Sequence, residues 1–386
     1  MDFNFSEEQE MLRETIQKFC RNELSKEKVR WMDENCNFVP DDIWNGLVDL
    51  GVHGLCIPEQ YGGLGQGHVD QMVVMEELAT ASAAVALGVG ATLSFGATPL
   101  VHLGTEEQKE RHLPRIAQGS EKWAMALTEP EGGTDILGAM RTRAEDKGDH
   151  WLLNGRKIFI TGAHVADYIM TVAITDPEAK RANGLSVFIV PRETAGLETR
   201  LIPKLGCHAC GANFVYYDDV RIPKENLLGT LNDGWRGLLN VLNPERIGTA
   251  VLSLGVAKAA FRDAFEYAKE RNAFGGPIAR FQSLQHYLAD IAIEIENARN
   301  LVYKCAWLAD QGKPMHIEAC MAKIVAARAS EKAAIWGMEI LGGYGYTMEY
   351  DMQRYFRDYK QMVFSPISDE MAKNMIMQFM GYPKSW

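Results

Sequence analysis

WAMALTEPEGGTD, residues 123–135, is where the chain changes period. On its N-terminal side, apolar residues recur at helical spacing. Ser6-Glu7-Glu8-Gln9 reads as a capping box, and Leu12, Thr15, Ile16 and Phe19 then line one helical face. Residues 41–50, 69–83 and 105–118 are further helix candidates, while PEQYGGLG (58–65) is a loop. On the C-terminal side, short runs rich in branched and aromatic residues follow at 123–127, 141–145, 150–160, 168–174, 185–191 and 214–220. Gly, Asp, Asn and Pro turns separate them, which predicts an antiparallel β-domain. From Asp233 the helical period returns, with Leu288, Ile291, Ile295, Ala298 and Val302 as one stripe and an Ala-rich helix over 315–338. The order predicts an N-terminal helical domain (1–120), a middle β-domain (121–229) and a C-terminal helical bundle (230–386). Strand–helix alternation with a Gly-rich loop is missing, which argues against a Rossmann fold.

The chain has 386 residues and a formal net charge of -11, so its surface repels nucleic acid and anionic membranes. MDFNFSEEQE lacks the basic and apolar regions of a signal peptide. The apolar windows at 85–93 and 250–260 carry Gly and Thr or soon meet charge, and neither is expected to reach a membrane-spanning length. Seven scattered cysteines suit reduced thiols in the cytoplasm.

Glu245 lies in LLNVLNPERIGTA (238–250), on a helical stripe with Leu238, Leu242, Thr249 and Leu252. A carboxylate on an apolar stripe must be paired or protonated. One reading is a buried ion pair with Arg246 or a distant Arg. The other is a catalytic acid–base group, and the kink expected at Pro244 favours it. Thr128 to Asp135 offers paired glycines and hydroxyls that can gather donors around an anion or heterocycle, or form an ordinary turn. FITGA (159–163) adds an aromatic face and a hydroxyl. Arg271 ends a helix, as a dipole complement or a phosphate clamp. LGGYGY (341–346) is a glycine turn that either cradles a nucleotide or ends a helix. Cys207-His208-Ala209-Cys210 has zinc-like spacing with no second pair, so no metal site is expected. Gly-x-Ser-x-Gly and His-Glu-x-x-His motifs do not occur.

Taken in order, ALTEPEGGTDILG (126–138), NGRKIFITGA (154–163), DDVRIPKENLLG (218–229), RNAFGGPIARFQ (271–282) and EILGGYGYTMEYDMQRYFRD (339–358) resemble the landmarks of the acyl-CoA dehydrogenases along essentially the whole chain. The resemblance implies that family's fold, with a four-helix C-terminal domain. It also implies FAD as cofactor, an acyl-CoA substrate, electron-transfer flavoprotein as electron acceptor, and a homo-oligomer, dimer or tetramer. The implied reaction is α-proton removal with β-hydride transfer to flavin N5. By motif, Thr128 and Thr161 would bond the isoalloxazine, Thr134 would lie near the pyrophosphate, and Phe159 stands where many members stack a Trp on the flavin. Arg271, Phe274, Gln282, Gly342 and Gly343 would contact the FAD of a neighbouring subunit. Glu339, in place of a usual Gln, would join them, and Ser368 is assigned to the cofactor side.

The chain departs from the pattern near its C-terminus. Many members place their catalytic Glu after Arg-Asp and Tyr-Glu-Gly-Thr. Here RDYKQMVFSPISDEM (357–371) puts Pro366 at that position. A branch resembling isovaleryl-CoA and long-chain acyl-CoA dehydrogenases carries its base on another helix, at a landmark like Asn243-Pro244-Glu245-Arg246. The resemblance therefore implies Glu245 as the base, with Glu370 as a structural or FAD-proximal alternative. RDYK…SDEM also resembles crotonobetainyl-CoA reductase-like members. Pro366 has no N–H for the thioester carbonyl, which leaves Ile367 as a candidate donor, or a differently seated substrate, or an atypical activity. Arg246 and Thr92 are expected on the substrate side. The 90–95 segment lacks an Arg or Lys to pair with a dicarboxylate. Cys210 and His208 replace a common Ser and Arg in a CoA-side or structural loop.

Overall fold

The computed structural model describes residues 4–179 and 181–384. Seven helices come first: α1 Glu7–Glu23, α2 Lys26–Asn35, α3 Asp41–Asp49, α4 His68–Ala81, α5 Ala83–Thr92, α6 Thr98–Leu103 and α7 Glu106–Ala117. The β region follows: β1 Trp123–Ala126, the single turn α8 Ile136–Ala139, β2 Arg143–Asp146, β3 His150–Thr161, β4 Tyr168–Ile174, β5 Leu185–Pro191, β6 Leu197–Ile202, β7 Ala212–Pro223 and β8 Leu227–Leu228. The long helix α9 Gly234–Glu270 leads to a tight hairpin, β9 Asn272–Ala273 and β10 Gly276–Pro277. Four more helices close the chain: α10 Gln282–Asp310, α11 His316–Leu341, α12 Met352–Phe364 and α13 Asp369–Phe379.

Local chemistry sets several of these ends. Ser6 and Gln9 exchange side-chain and backbone bonds at the start of α1, as the capping box predicts. Thr105 and Gln108 do the same for α7. The stripe on α10 faces inward, with Leu288, Ile291, Ala298 and Val302 buried and Ile295 packed against them. Small side chains let the long helices approach closely: Ala319, Ala322, Ala326, Ala329 and Ala333 line α11 against the alanine-rich middle of α9. At Gly255 of α9 a Cβ would stand 2.4 Å from the Ala79 Cβ of α4, so glycine is required for that crossing. N-terminal and C-terminal helices thus share one core rather than two.

The sheet runs β6-β7-β3-β2-β4-β5-β8, with β1 beside β4. Most pairs are antiparallel, as expected. β1 and β4 are parallel, however (Trp123↔Tyr168 to Ala126↔Thr171), and so is the single β2–β4 contact. The β2–β3 hairpin intervenes before the chain returns along β1, so the direction of that pair is a tertiary outcome. Alternation then divides the sheet's two faces. Met170, Val172, Val187 and Ile189 pack toward α6 and α7, whereas Ile169, Ala173, Phe188 and Val190 pack into the sheet's own interior. Pro244 lies inside α9 without ending it, so the helix continues through the point where a kink was expected.

The 85–93 window extends further than its sequence suggests. A wide turn, Leu93–Ala97, joins α5 to α6, and the run Ala83–Leu103 is long and apolar enough by composition to cross a bilayer. It is a core helix: 67% of the window is buried, and Gly96 leaves room for Trp123 of β1.

Candidate active site

Three groups of side chains stand out. The first lies where β1 runs out beside β3. Ile158 N–H donates to Thr128 O (2.9 Å), which docks the loop after β1 onto β3. Lys157 pairs with Val215 and Ile160 with Asn213, so an extra residue bulges from β3 between them. Phe159 sits in that bulge at φ 61, a conformation side-chain-bearing residues rarely adopt, and its ring is 63% exposed. Thr128 and Thr161 flank it, and neither hydroxyl takes a partner among the described residues. Gly133, Thr134 and Asp135 are exposed at the end of the loop, and Asp135 caps α8 through Gly138 N–H (3.1 Å).

The second group surrounds Glu245. Its expected ion pair with Arg246 does not form. Arg246 turns away, donating to Asn243 Oδ1 and reaching Met375 Sδ on α13 (3.9 Å), and its Nε is buried without an acceptor. The Glu245 carboxylate has no hydrogen bond or ion pair among the described residues. Its stripe is sealed at Leu238 and Leu252 but half-open at Leu242, Glu245 and Thr249. A Cβ on Gly248 would meet nothing within 4 Å, so open space lies beside this turn. Protein crowding of the carboxyl raises its pKa to about 7, and the Arg246 charge opposes the rise only in part. Glu370, the alternative acid, is exposed on α13.

Next to this group, the loop carrying Pro366 is held at both ends by one ammonium. Lys323, fully buried on α11, donates to Val363 O at the end of α12 (2.5 Å) and to Asp369 Oδ1 at the start of α13 (2.8 Å). Ser368 is the N-cap of α13, its hydroxyl accepting from Met371 N–H (3.2 Å), which uses it locally. The Ile367 N–H takes no acceptor among the described residues. Thr92 is buried to 1% exposure and accepts from Trp123 N–H (3.2 Å), so it ties α5 to β1 instead of facing that open space.

The third group lies at the far end of α9. Arg271 is its C-cap, and its guanidinium sits 5.5 Å from the Tyr344 ring centroid with no acid partner among the described residues. A cleft of about 550 Å³ is lined by Arg271, Tyr267, Gly342, Gly343, Tyr344 and Thr347, among others. Phe274 stands at φ 50 in the β9–β10 turn, 89% exposed, and Gln282 and Glu339 are exposed on α10 and α11. From Glu245 to Arg271 is 26 residues along one helix, roughly 39 Å.

The exposed ring of Phe159, the free Thr128 and Thr161 hydroxyls and the unpaired Arg271 are the donor set a flavin dinucleotide needs, so the chain fits FAD. Cys207 and Cys210 are buried, and no group of three or more metal-ligating side chains occurs among the described residues. Sequence reading missed the buried Lys157–Glu129 and Lys323–Asp369 pairs. For Lys157 a signal existed: it shares the inward parity of Leu153 on β3.

Family descriptions match along the chain: acyl-CoA dehydrogenase N-terminal domain over residues 6–120, middle domain over 124–220 and C-terminal domain over 232–381. The chain is similar to a glutaryl-CoA dehydrogenase of Desulfococcus multivorans, 38% identical over 93% of this chain and 92% of that one. It is similar to the caffeyl-CoA reductase-Etf complex subunit CarC of Acetobacterium woodii, 39% identical over 92% and 93%. A solved glutaryl-coenzyme A dehydrogenase in complex with glutaryl-CoA superposes with TM-score 0.96 at 35% identity, over 100% of this chain and 98% of that one.

Proposed function

Because the chain belongs to the acyl-CoA dehydrogenase family of FAD-dependent oxidoreductases, we propose that it desaturates an acyl-CoA thioester between Cα and Cβ with Glu245 as the base. The observation that carries this reading is the Glu245 carboxyl itself: unpaired, desolvated and set beside the open space at Gly248. Its elevated pKa suits a base working near neutral pH, where proton affinity and ionised fraction are both adequate. FAD, when bound, supplies the two-electron acceptor.

The residues divide the remaining work. Thr128 and Thr161 hold the isoalloxazine edge, and Phe159 stacks on it. Ile367, whose N–H is free beside the donor-less Pro366, polarises the thioester carbonyl and makes the α-proton more acidic. Arg246 keeps a positive charge beside Glu245 without neutralising it. Arg271, Phe274, Gln282, Glu339, Gly342 and Gly343 hold the nucleotide half of a flavin bound by a second copy, a reading supported by the length of α9 that separates them from Glu245. This supports a homo-oligomer, which we take to be a tetramer. Electron-transfer flavoprotein is the proposed electron acceptor, a reading supported by the likeness to CarC, a subunit of a caffeyl-CoA reductase-Etf complex. Seven unpaired cysteines support a cytoplasmic setting.

The likeness to a caffeyl-CoA reductase favours a second reading, in which the same site reduces an enoyl thioester. Anaerobic bleaching of the flavin by a panel of saturated acyl-CoAs tests the first. Bleaching by none of them, with turnover of enoyl-CoA by the reduced enzyme, would replace it with the second.

A further inference from the structure

Residues 127–129 are anchored at three successive points. Lys157 Nζ donates to Leu127 O (3.1 Å) and to Glu129 Oε1 (2.9 Å), and Ile158 N–H takes Thr128 O between them (2.9 Å). Glu129 also accepts from the first amides leading into β2, Arg141 N–H (2.6 Å) and Thr142 N–H (2.9 Å). Both charged side chains are buried, Lys157 completely. With these acceptors occupied, Thr128 keeps its hydroxyl and its N–H to offer, neither of which has a partner among the described residues. On β3 the inward anchoring of Lys157 comes immediately before the bulge that turns Phe159 outward.

A buried ion pair adds little net stability, because desolvating two charges offsets their attraction, and well-packed apolar replacements are often as stable. Breaking one partner is a different matter, because a lone charge is left inside. Fixed direction is what such a pair supplies.

We propose that the buried Glu129–Lys157 pair is the positioning device for the flavin face, aiming the Thr128 hydroxyl and the Phe159 ring at the isoalloxazine. The inference rests on the reading of Thr128, Phe159 and Thr161 as that face. Neither Glu129 nor Lys157 touches the flavin. Each acts through the loop and the bulge it holds. Burial pushes the Lys157 ammonium down to about 8 against the pull of Glu129. Burial would raise Glu129, but Lys157 and the Thr142 amide outweigh it and hold that carboxyl below the usual range.

The test uses the full-length flavoprotein, stripped of FAD and reloaded, in Lys157→Met, Glu129→Gln and the double variant. Melting temperature, FAD dissociation constant, flavin midpoint potential and the position of the visible flavin band are read for each. Lys157→Met is expected to melt lower. The double variant should regain much of that stability while its FAD affinity stays weaker by roughly 10- to 100-fold, the range seen when outer groups that orient a binding residue are removed. Its band and potential should be displaced as well. Glu129→Gln, the mildest change and the one that keeps the shape, should shift the band and potential in the same direction. Wild-type affinity, band and potential in folded Glu129→Gln and double variants would overturn the inference. A wild-type protein whose flavin properties ignore Phe159→Ala and Thr128→Val would overturn the underlying reading of the face.

Discussion

At the residue scale, Glu245 combines two properties that sequence could only weigh against each other. Periodicity placed it on an apolar stripe, where a satisfied core carboxylate and a base look alike. Geometry separates them, since Arg246 bonds to Asn243 and leaves Glu245 unpaired. Glu245→Gln should lower substrate-driven flavin reduction by at least about 10²-fold while FAD stays bound, as stopped-flow bleaching would record. In the wild-type enzyme the same rate should rise with pH through about 7, as the base ionises. The stability consequence has the opposite slope. The folded carboxyl holds its proton above the ordinary value of 4.5, so folded protein binds more protons than unfolded chain between 4.5 and about 7. Stability should therefore fall as pH rises across that window and level off above it. Glu245→Gln should remove this dependence and be the more stable protein at pH 8, by on the order of 2 kcal/mol after allowing for partial solvent access. Denaturant melts at pH 5 and pH 8 measure both. Gly248 gives a complementary check. Gly248→Ala should stabilise α9 by up to about 1 kcal/mol, whereas Gly248→Leu should fill the open space and raise KM for acyl-CoA with little change in melting temperature.

Among the elements, α11 and α13 meet at the charge cluster that brackets the Pro366 loop. Asp369 accepts from Lys323 and also forms an ion pair with Arg328 (2.9 Å). Asp369→Ala would leave the Lys323 ammonium buried and unpaired, at about 3–5 kcal/mol, and release the first turn of α13. Calorimetry should register a clear drop, and Asp369→Asn should recover part of it through hydrogen bonding alone. Elements were legible to different degrees for identifiable reasons. The inward stripe of α10 declared itself because burial of one face forces that period, and the branched, apolar runs of β4 and β5 did so because both their faces are buried. Strand β6, LETRLI, escaped notice because it is an edge strand with mostly exposed, charged side chains. The helix through 83–103 hid behind its glycines, which are there to admit neighbours such as Val39 against Gly88 and Trp123 against Gly96. The parallel β1–β4 pair could not be read at all, because alternation fixes which face a residue takes and says nothing of strand direction. Within the site, motif order singled out Phe159 and Arg271, both exposed, but only three-dimensional contact revealed that the Thr92 hydroxyl accepts from β1.

For the whole molecule, the proposed division of labour between Glu245 and Arg271 along α9 makes each catalytic unit a joint product of two copies, which mixed oligomers test. Co-expressing Glu245→Gln chains with Arg271→Ala chains should restore activity that neither homo-oligomer has, because one of the two mixed sites then combines an intact base with an intact nucleotide clamp. If Arg271 served its own chain, the mixture would stay as inactive as its parents, which an assay of the purified hetero-oligomer would reveal.

Helix α9 is also packed on by α4, α10, α11 and α12. Amide protons in such a helix can reach solvent only when most of the molecule opens, whereas those at the exposed residues 133–135 need only a local fluctuation. Deuterium labelling of the native protein should therefore run on two clocks. The amides from Ala250 to Ala264 should be the last to exchange and report the global unfolding free energy, while Gly133 exchanges early and slows once FAD is added.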